Sequence, residues 1–160
     1  MKIIFFATGG TFDKVYYDAL SDYRIGDPQV SSILEQAKVA LDYQVEAIIG
    51  KDSLDLNDAD RVVLRERIAK DANIHFIVIH GTDTMVETAR ALQGINGKTI
   101  VLTGAMQPAR FKNSDAEFNT GFALAAVQLL KPGVYIAMNG EIFTADKVRK
   151  NRDKGRFEAI

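Results

Sequence analysis

The stretch IHFIVIHGTDTMVETA, residues 74–89, sets an apolar run against an abrupt polar turn. Ile74 to Ile79 read as a strand buried on both faces, and the residues after Thr84 carry helical spacing. Between them lie His80, Gly81, Thr82 and Asp83, so hydroxyl and carboxylate chemistry sits at the carboxyl end of a probable core strand.

The same alternation runs through the rest of the chain. KIIFFA (2–7), YQVEAII (43–49), TIVLT (99–103) and VYIAM (134–138) read as further buried strands. Helical spacing fills the gaps. In residues 28–41, Val30, Ile33, Leu34, Ala37 and Leu41 share a face, with Pro28 at the first helical position. In 57–72, Asn57 or Asp58 offers an N-cap and Val62, Val63, Arg67 and Ile68 follow at helical intervals. TMVETARALQ gives a short helix, and the helix from Ala116 to Leu130 is stopped by Pro132–Gly133. Strands alternating with helices predict an α/β fold of three layers, a mostly parallel sheet built from right-handed βαβ units and flanked by helices. Residues 12–27 break the alternation and read as a hairpin or mobile loop over a site; residues 147–160 read as a charged surface tail.

Composition narrows the function. The 160 residues suit one domain with one good core. A net charge of −1 gives no reason to expect nucleic acid or an acidic membrane as partner. With no cysteine, disulfides, thiolate catalysis and zinc–thiolate sites are excluded. The apolar run at the start is far short of the roughly 20 residues a membrane span needs, and it leads into TGGT rather than a cleavage pattern. A first core strand and a cytoplasmic protein are the expectation. Carboxylates occur singly on separate loops, so no metal is implied, and no organic cofactor either.

Ligands of open α/β sheets bind at the carboxyl ends of the strands. There this chain places TGGTFD, GKDSLDLND, HGTDTM, GAMQPARFKNSD and NGEIFTADKVRK. The glycines of ATGGT follow neither a dinucleotide-binding nor a P-loop spacing, but they let backbone approach a ligand closely. A threonine hydroxyl needs a base to become a nucleophile. His80 and His75 both fit structural roles better, which leaves a lysine or tyrosine tuned by its surroundings.

Together, ATGGTFDK, HGTDTMVETA and LTGAMQPARFKNSDAEFN resemble the signatures of the bacterial-type L-asparaginases, threonine amidohydrolases, in motif order over nearly all 160 residues. The resemblance is to the amino-terminal domain alone, so residues 1–160 are expected to form a single domain of that type, with the smaller carboxyl-terminal domain absent. It implies hydrolysis of L-asparagine to L-aspartate and ammonia without a cofactor. Thr11 matches the nucleophile that forms the acyl-enzyme. Thr82, Asp83 and Lys150 match a triad with lysine as base, in which Asp83 also holds the substrate's α-ammonium. Ser53 matches the serine that binds the α-carboxylate. Tyr23 best matches the lid tyrosine, with Tyr16 and Tyr17 as competitors.

Three departures accompany the resemblance. Leu54 stands where the family places a polar residue near the α-amino group, and Phe12 replaces an aliphatic residue after TGGT. Without the second domain the site must be completed from the chain's own surface or a different oligomer interface, so a homo-oligomer is expected. Two other readings stay open: a catalytically impaired module that binds an amino acid, and an amidase for another amide such as glutamine.

Overall fold

The computed structural model describes residues 1–160. Its first half runs through β1 (Lys2–Ala7), a hairpin of β2 (Lys14–Tyr17) and β3 (Asp22–Ile25), α1 (Val30–Gln36), β4 (Asp42–Ala47) and α2 (Asp58–Lys70). Then follow β5 (His75–Ile79), α3 (Met85–Leu92), β6 (Thr99–Thr103), α4 (Ala116–Leu129), β7 (Gly133–Met138), β8 (Glu141–Thr144) and a hairpin of β9 (Val148–Asn151) and β10 (Arg156–Ala159). The main sheet has the order β4-β1-β5-β6-β7-β8, parallel except for β8.

Period-two alternation divides the core between the two faces of this sheet. Ile4, Phe6, Phe76, Val78, Ile100, Leu102 and Ile136 pack with Leu64 and Ile68 of α2 and Met85, Ala89 and Leu92 of α3. Ile3, Phe5, Ile77, Ile79, Val101 and Ala137 pack with Val30 and Leu34 of α1 and Ala116, Ala123, Ala126 and Val127 of α4. The expected three-layer α/β architecture is therefore present.

Not every unit has the expected hand. From β1 the chain steps to β4 through α1, then back past β1 to β5 through α2, then outward to β6 through α3. The step from β6 to β7 continues outward, yet α4 lies on the opposite face from α3. This last crossover is therefore wound opposite to the other three, against the strong preference for right-handed units. Instead of lying beside α3, α4 lies beside α1, and the loop before it passes over the β1 turn, where the Ala109 amide donates to Phe12 O at 3.1 Å.

Several local readings are also corrected. The polar inner stripe of α2 is the clearest case, because Val62 and Val63 are about half exposed while Leu64 and Ile68 are buried. Arg61 and Arg65 share that inner stripe and bond α3 instead of water, Arg61 to Thr88 Oγ1 and Arg65 to Ala91 O and Gln93 O. Asn57 is the N-cap, in a capping box with Asp60. Pro28 lies before the Gln29 N-cap of α1, outside the helix. That helix stops at Gln36 because Lys38 turns left-handed, its amide reaching Glu35 O and the Val39 amide reaching Leu34 O.

The segment after β7 is a strand, not only a polar loop. Asn139 and Gly140 both have positive φ, 56° and 79°, and turn β7 back into β8 as a two-residue hairpin. The charged tail likewise folds as β9–β10, with Val148 and Phe157 buried against the α2/α3 face. Residues 12–27 do form a hairpin, β2–β3.

Because Leu64 is 1% exposed and Val62 is 52% exposed, truncation separates the two faces of α2. Leu64→Ala is expected to lower stability in urea unfolding by about 2–5 kcal/mol, Val62→Ala by no more than about 0.5 kcal/mol.

Candidate active site

The strand order reverses between β1 and β5, and at such a switch point the two following turns diverge and leave a crevice. Gly10 takes φ 83° here, and a Cβ on it would lie 2.6 Å from Gly81 Cα. A Cβ on Gly81 would in turn lie 2.5 Å from Ser53 Oγ. The turns carrying Thr11 and Thr82 thus touch backbone to backbone, and the Ser53 side chain packs directly on Gly81. The Thr84 hydroxyl adds a hydrogen bond to Ser53 O at 2.7 Å.

Lys150 arrives from the far hairpin. It faces Phe157 across the β9–β10 ladder and shares a face with Val148, so the two buried apolar residues anchor it against α3. Its ammonium donates to Thr82 Oγ1 and to Asp83 Oδ1, both at 2.8 Å. The lysine side chain is only 15% exposed, which strengthens that charge-assisted pair relative to one in open water. Arg152, farther along the same hairpin, also approaches Asp83 Oδ1, at 3.4 Å.

The residues singled out in the sequence fall into two groups. Ser53, Thr82, Asp83 and Lys150 are brought together with the Thr11 turn. Tyr23 lies on the β2–β3 hairpin, where its ring packs on Tyr16 at 5.5 Å and on Phe111 at 6.0 Å, and it makes no bond to Thr11. Tyr17 points elsewhere, beneath the guanidinium of Arg24.

Residues not singled out hold the frame. Lys14 on β2 pairs with Asp52 at 2.8 Å, and Asp52 caps the turn of Ser53 through the Leu54 amide. Asp13 clasps the same base of the hairpin, accepting from the Gln29 amide at 2.8 Å while its carbonyl accepts from the Gly26 amide. Asp115 accepts from the Met106 and Gln107 amides and from Asn119, and Asn119 Oδ1 accepts from the Asn139 amide. Asn139 Oδ1 then accepts from the Phe157 amide at 2.9 Å, which ties the lysine hairpin to the sheet. The NG pair was a readable signal for that turn; the remaining bonds join distant segments and had none.

His80 is structural, as its place in the strand pattern suggested. It is fully buried, with Nδ1 2.7 Å from Gly81 O and Nε2 2.8 Å from Thr88 Oγ1, and Arg61 donates to that same hydroxyl. Burial pushes its pKa down to about 4, so the ring is neutral and serves as a fixed post behind the Thr82 turn. Burial pushes the Asp13 carboxyl the other way, up to about 6.

Hydroxyl, carboxylate and ammonium thus converge at a sheet switch point. A family model described as "Asparaginase, N-terminal" matches residues 2–159, and the chain belongs to that family. A probable periplasmic L-asparaginase of Haemophilus influenzae is 33% identical over 93% of this chain and 46% of its own length. L-asparaginase 2 of Escherichia coli is 29% identical over 99% of this chain and 49% of its own. The structure of the thermostable L-asparaginase from Thermococcus kodakarensis superposes with a TM-score of 0.83 at 26% identity, covering all of this chain and 51% of that one. The chain thus spans about half the length of the relatives it matches. No helix is long and apolar enough to cross a membrane.

Two measurements follow from the buried groups and the glycine contact. Ionising Asp13 is disfavoured in the fold, so stability falls as pH rises from about 3.8 to about 6, while His80 makes stability fall as pH drops from about 6.5 to about 4. The two slopes oppose each other. Asp13→Asn removes the first, and is expected to raise stability above wild type at pH 7.5 by up to about 3 kcal/mol, with little difference at pH 3.5. Gly81→Ala is expected to cost about 1–3 kcal/mol by forcing the Ser53 turn away.

Proposed function

We propose that this chain is an amidohydrolase that converts L-asparagine to L-aspartate and ammonia through a threonine acyl-enzyme. The observation that carries the reading is Lys150 Nζ, which bonds the Thr82 hydroxyl and the Asp83 carboxylate at 2.8 Å each. A hydroxyl, a proton acceptor and an orienting carboxylate are what attack on an unactivated amide requires.

In this mechanism Thr11 Oγ attacks the side-chain amide carbon, its proton passes to the leaving nitrogen, and ammonia departs. The ester left on Thr11 is then opened by water, which releases the acid. Lys150 and the Thr82 hydroxyl relay a proton from the attacking water to the departing Thr11 oxygen, and Asp83 fixes the orientation of Lys150. Amide N–H groups of the glycine-lined turns are available to the developing oxyanion. Ser53 takes the substrate α-carboxylate and Asp83 its α-ammonium. Swinging of the β2–β3 hairpin brings Tyr23 over Thr11 and excludes water. No step calls on a metal or an organic cofactor.

Ammonia release from L-asparagine, L-glutamine and D-asparagine by wild type, Thr11→Ala and Lys150→Met tests this. Turnover of asparagine that falls at least about 1000-fold in both folded variants is expected, since each removes a reacting group. A folded wild type inactive on all three amides would leave an amino-acid-binding module as the function. A strong preference for glutamine would change the substrate and keep the chemistry.

A further inference from the structure

Asp83 is a crowded carboxylate. Its Oδ1 already accepts from Lys150 Nζ at 2.8 Å, and the Arg152 guanidinium approaches the same oxygen at 3.4 Å. A substrate ammonium would be the third cation to seek that group. The two residents are not equally displaceable. Lys150 is 15% exposed and also held by the Thr82 hydroxyl, whereas Arg152 is 65% exposed with this single long contact.

Arg152 also colours the space beside the catalytic lysine. A cleft of about 240 Å³ adjoins Asp83, and Arg90, Arg149, Lys150 and Arg152 line it against the carboxylates of Asp83 and Glu87. Four cationic groups against two anionic ones leave an excess of positive charge there. The Arg149 guanidinium is taken up by Glu158 at 2.6 Å, and Arg90 is turned to Ala145 O at 3.4 Å. Besides Lys150, Arg152 is therefore the cation in that wall whose charge bears directly on Asp83.

From this we infer that Arg152 is a specificity-determining residue that biases the site away from a free α-ammonium and toward acid amides that lack a positive charge at that position. The inference rests on the amidohydrolase reading above and deepens it. A ligand with two carboxyl-type ends and no ammonium brings no cation to Asp83 and does not have to displace the guanidinium. A free amino-acid amide must either displace Arg152 from Asp83 or share the carboxylate with it. Exposed ion pairs contribute up to roughly 1 kcal/mol, so the bias is expected to reach about fivefold at most in relative affinity.

L-Aspartate and succinate differ only in the ammonium group, and both can be titrated calorimetrically into wild type, Arg152→Gln and Arg152→Lys. Arg152→Gln is expected to shift the aspartate-to-succinate affinity ratio toward aspartate, by about fivefold at most, while Arg152→Lys, which keeps the charge, leaves it near wild type. The ratio of kcat/KM for L-asparagine and succinamate should move in the same direction. A merely structural role for Arg152 would weaken both ligands alike and leave the ratio unmoved, which would overturn the inference. A shift toward succinate would overturn it as well. If folded wild type binds neither acid and hydrolyses neither amide, the amidohydrolase reading fails first and takes the inference with it.

Discussion

Backbone meets backbone at Gly10 and Gly81, the Ser53 side chain closes on Gly81, and the functional part of the molecule depends on these contacts. The β1 and β5 strands run side by side, so a side chain on Gly10 would collide with the turn after β5, and one on Gly81 would collide with Ser53. With hydrogen in place of Cβ the turns close on each other, and the threonines that follow the two glycines are carried into one small region. Ser53 is drawn in by the same approach, without needing a hydrogen bond of its own side chain to fix the loop. The constraint is steric before it is chemical.

Around that contact, the polar groups do different kinds of work. His80 behind the Thr82 turn is neutral and doubly bonded, a rigid support. Asp13 and Asp52 both hold the base of the excursion that bears Tyr23, one through backbone amides and one through Lys14. Lys150 is delivered from the opposite side by a hairpin seated on Val148 and Phe157 and indexed to the sheet through Asn139. Rigid pieces on one side and a hairpin held mainly at its base on the other suit a site that must position a small molecule and then release it.

Much of this was readable in the sequence, and the misses share a cause. The buried strands announced themselves because both faces are apolar, and the polar turns because each follows such a run. Thr11, Thr82 and Asp83 could be picked out for that reason. Helix α2 misled because its inner face is half arginine, Arg61 and Arg65 finding partners on α3 that one segment alone cannot reveal. The hairpin of Lys150 looked like a solvated tail because only two of its residues, Val148 and Phe157, are apolar and buried. Resemblance to a family, rather than any local pattern, drew attention to Lys150, and nothing in the sequence singled out Arg152. Long-range pairing is what a linear pattern omits. The reversed hand of the last crossover is the same kind of fact, since it concerns which face a helix chooses and not whether it is a helix.

That reversed crossover bears on the order of assembly. A right-handed βαβ unit gains from the twist of its own strands and can condense locally, but a unit of the other hand draws no such help. The β6–α4–β7 segment is therefore expected to dock on a sheet already formed by β4, β1, β5 and β6. Lys150 hangs from the far end of β7 through Asn139 and Phe157. A chain caught before that docking would have its threonines and Asp83 in register yet lack the ammonium that joins them. Chirality at one connection thus makes the proposed chemistry a property of the finished fold alone.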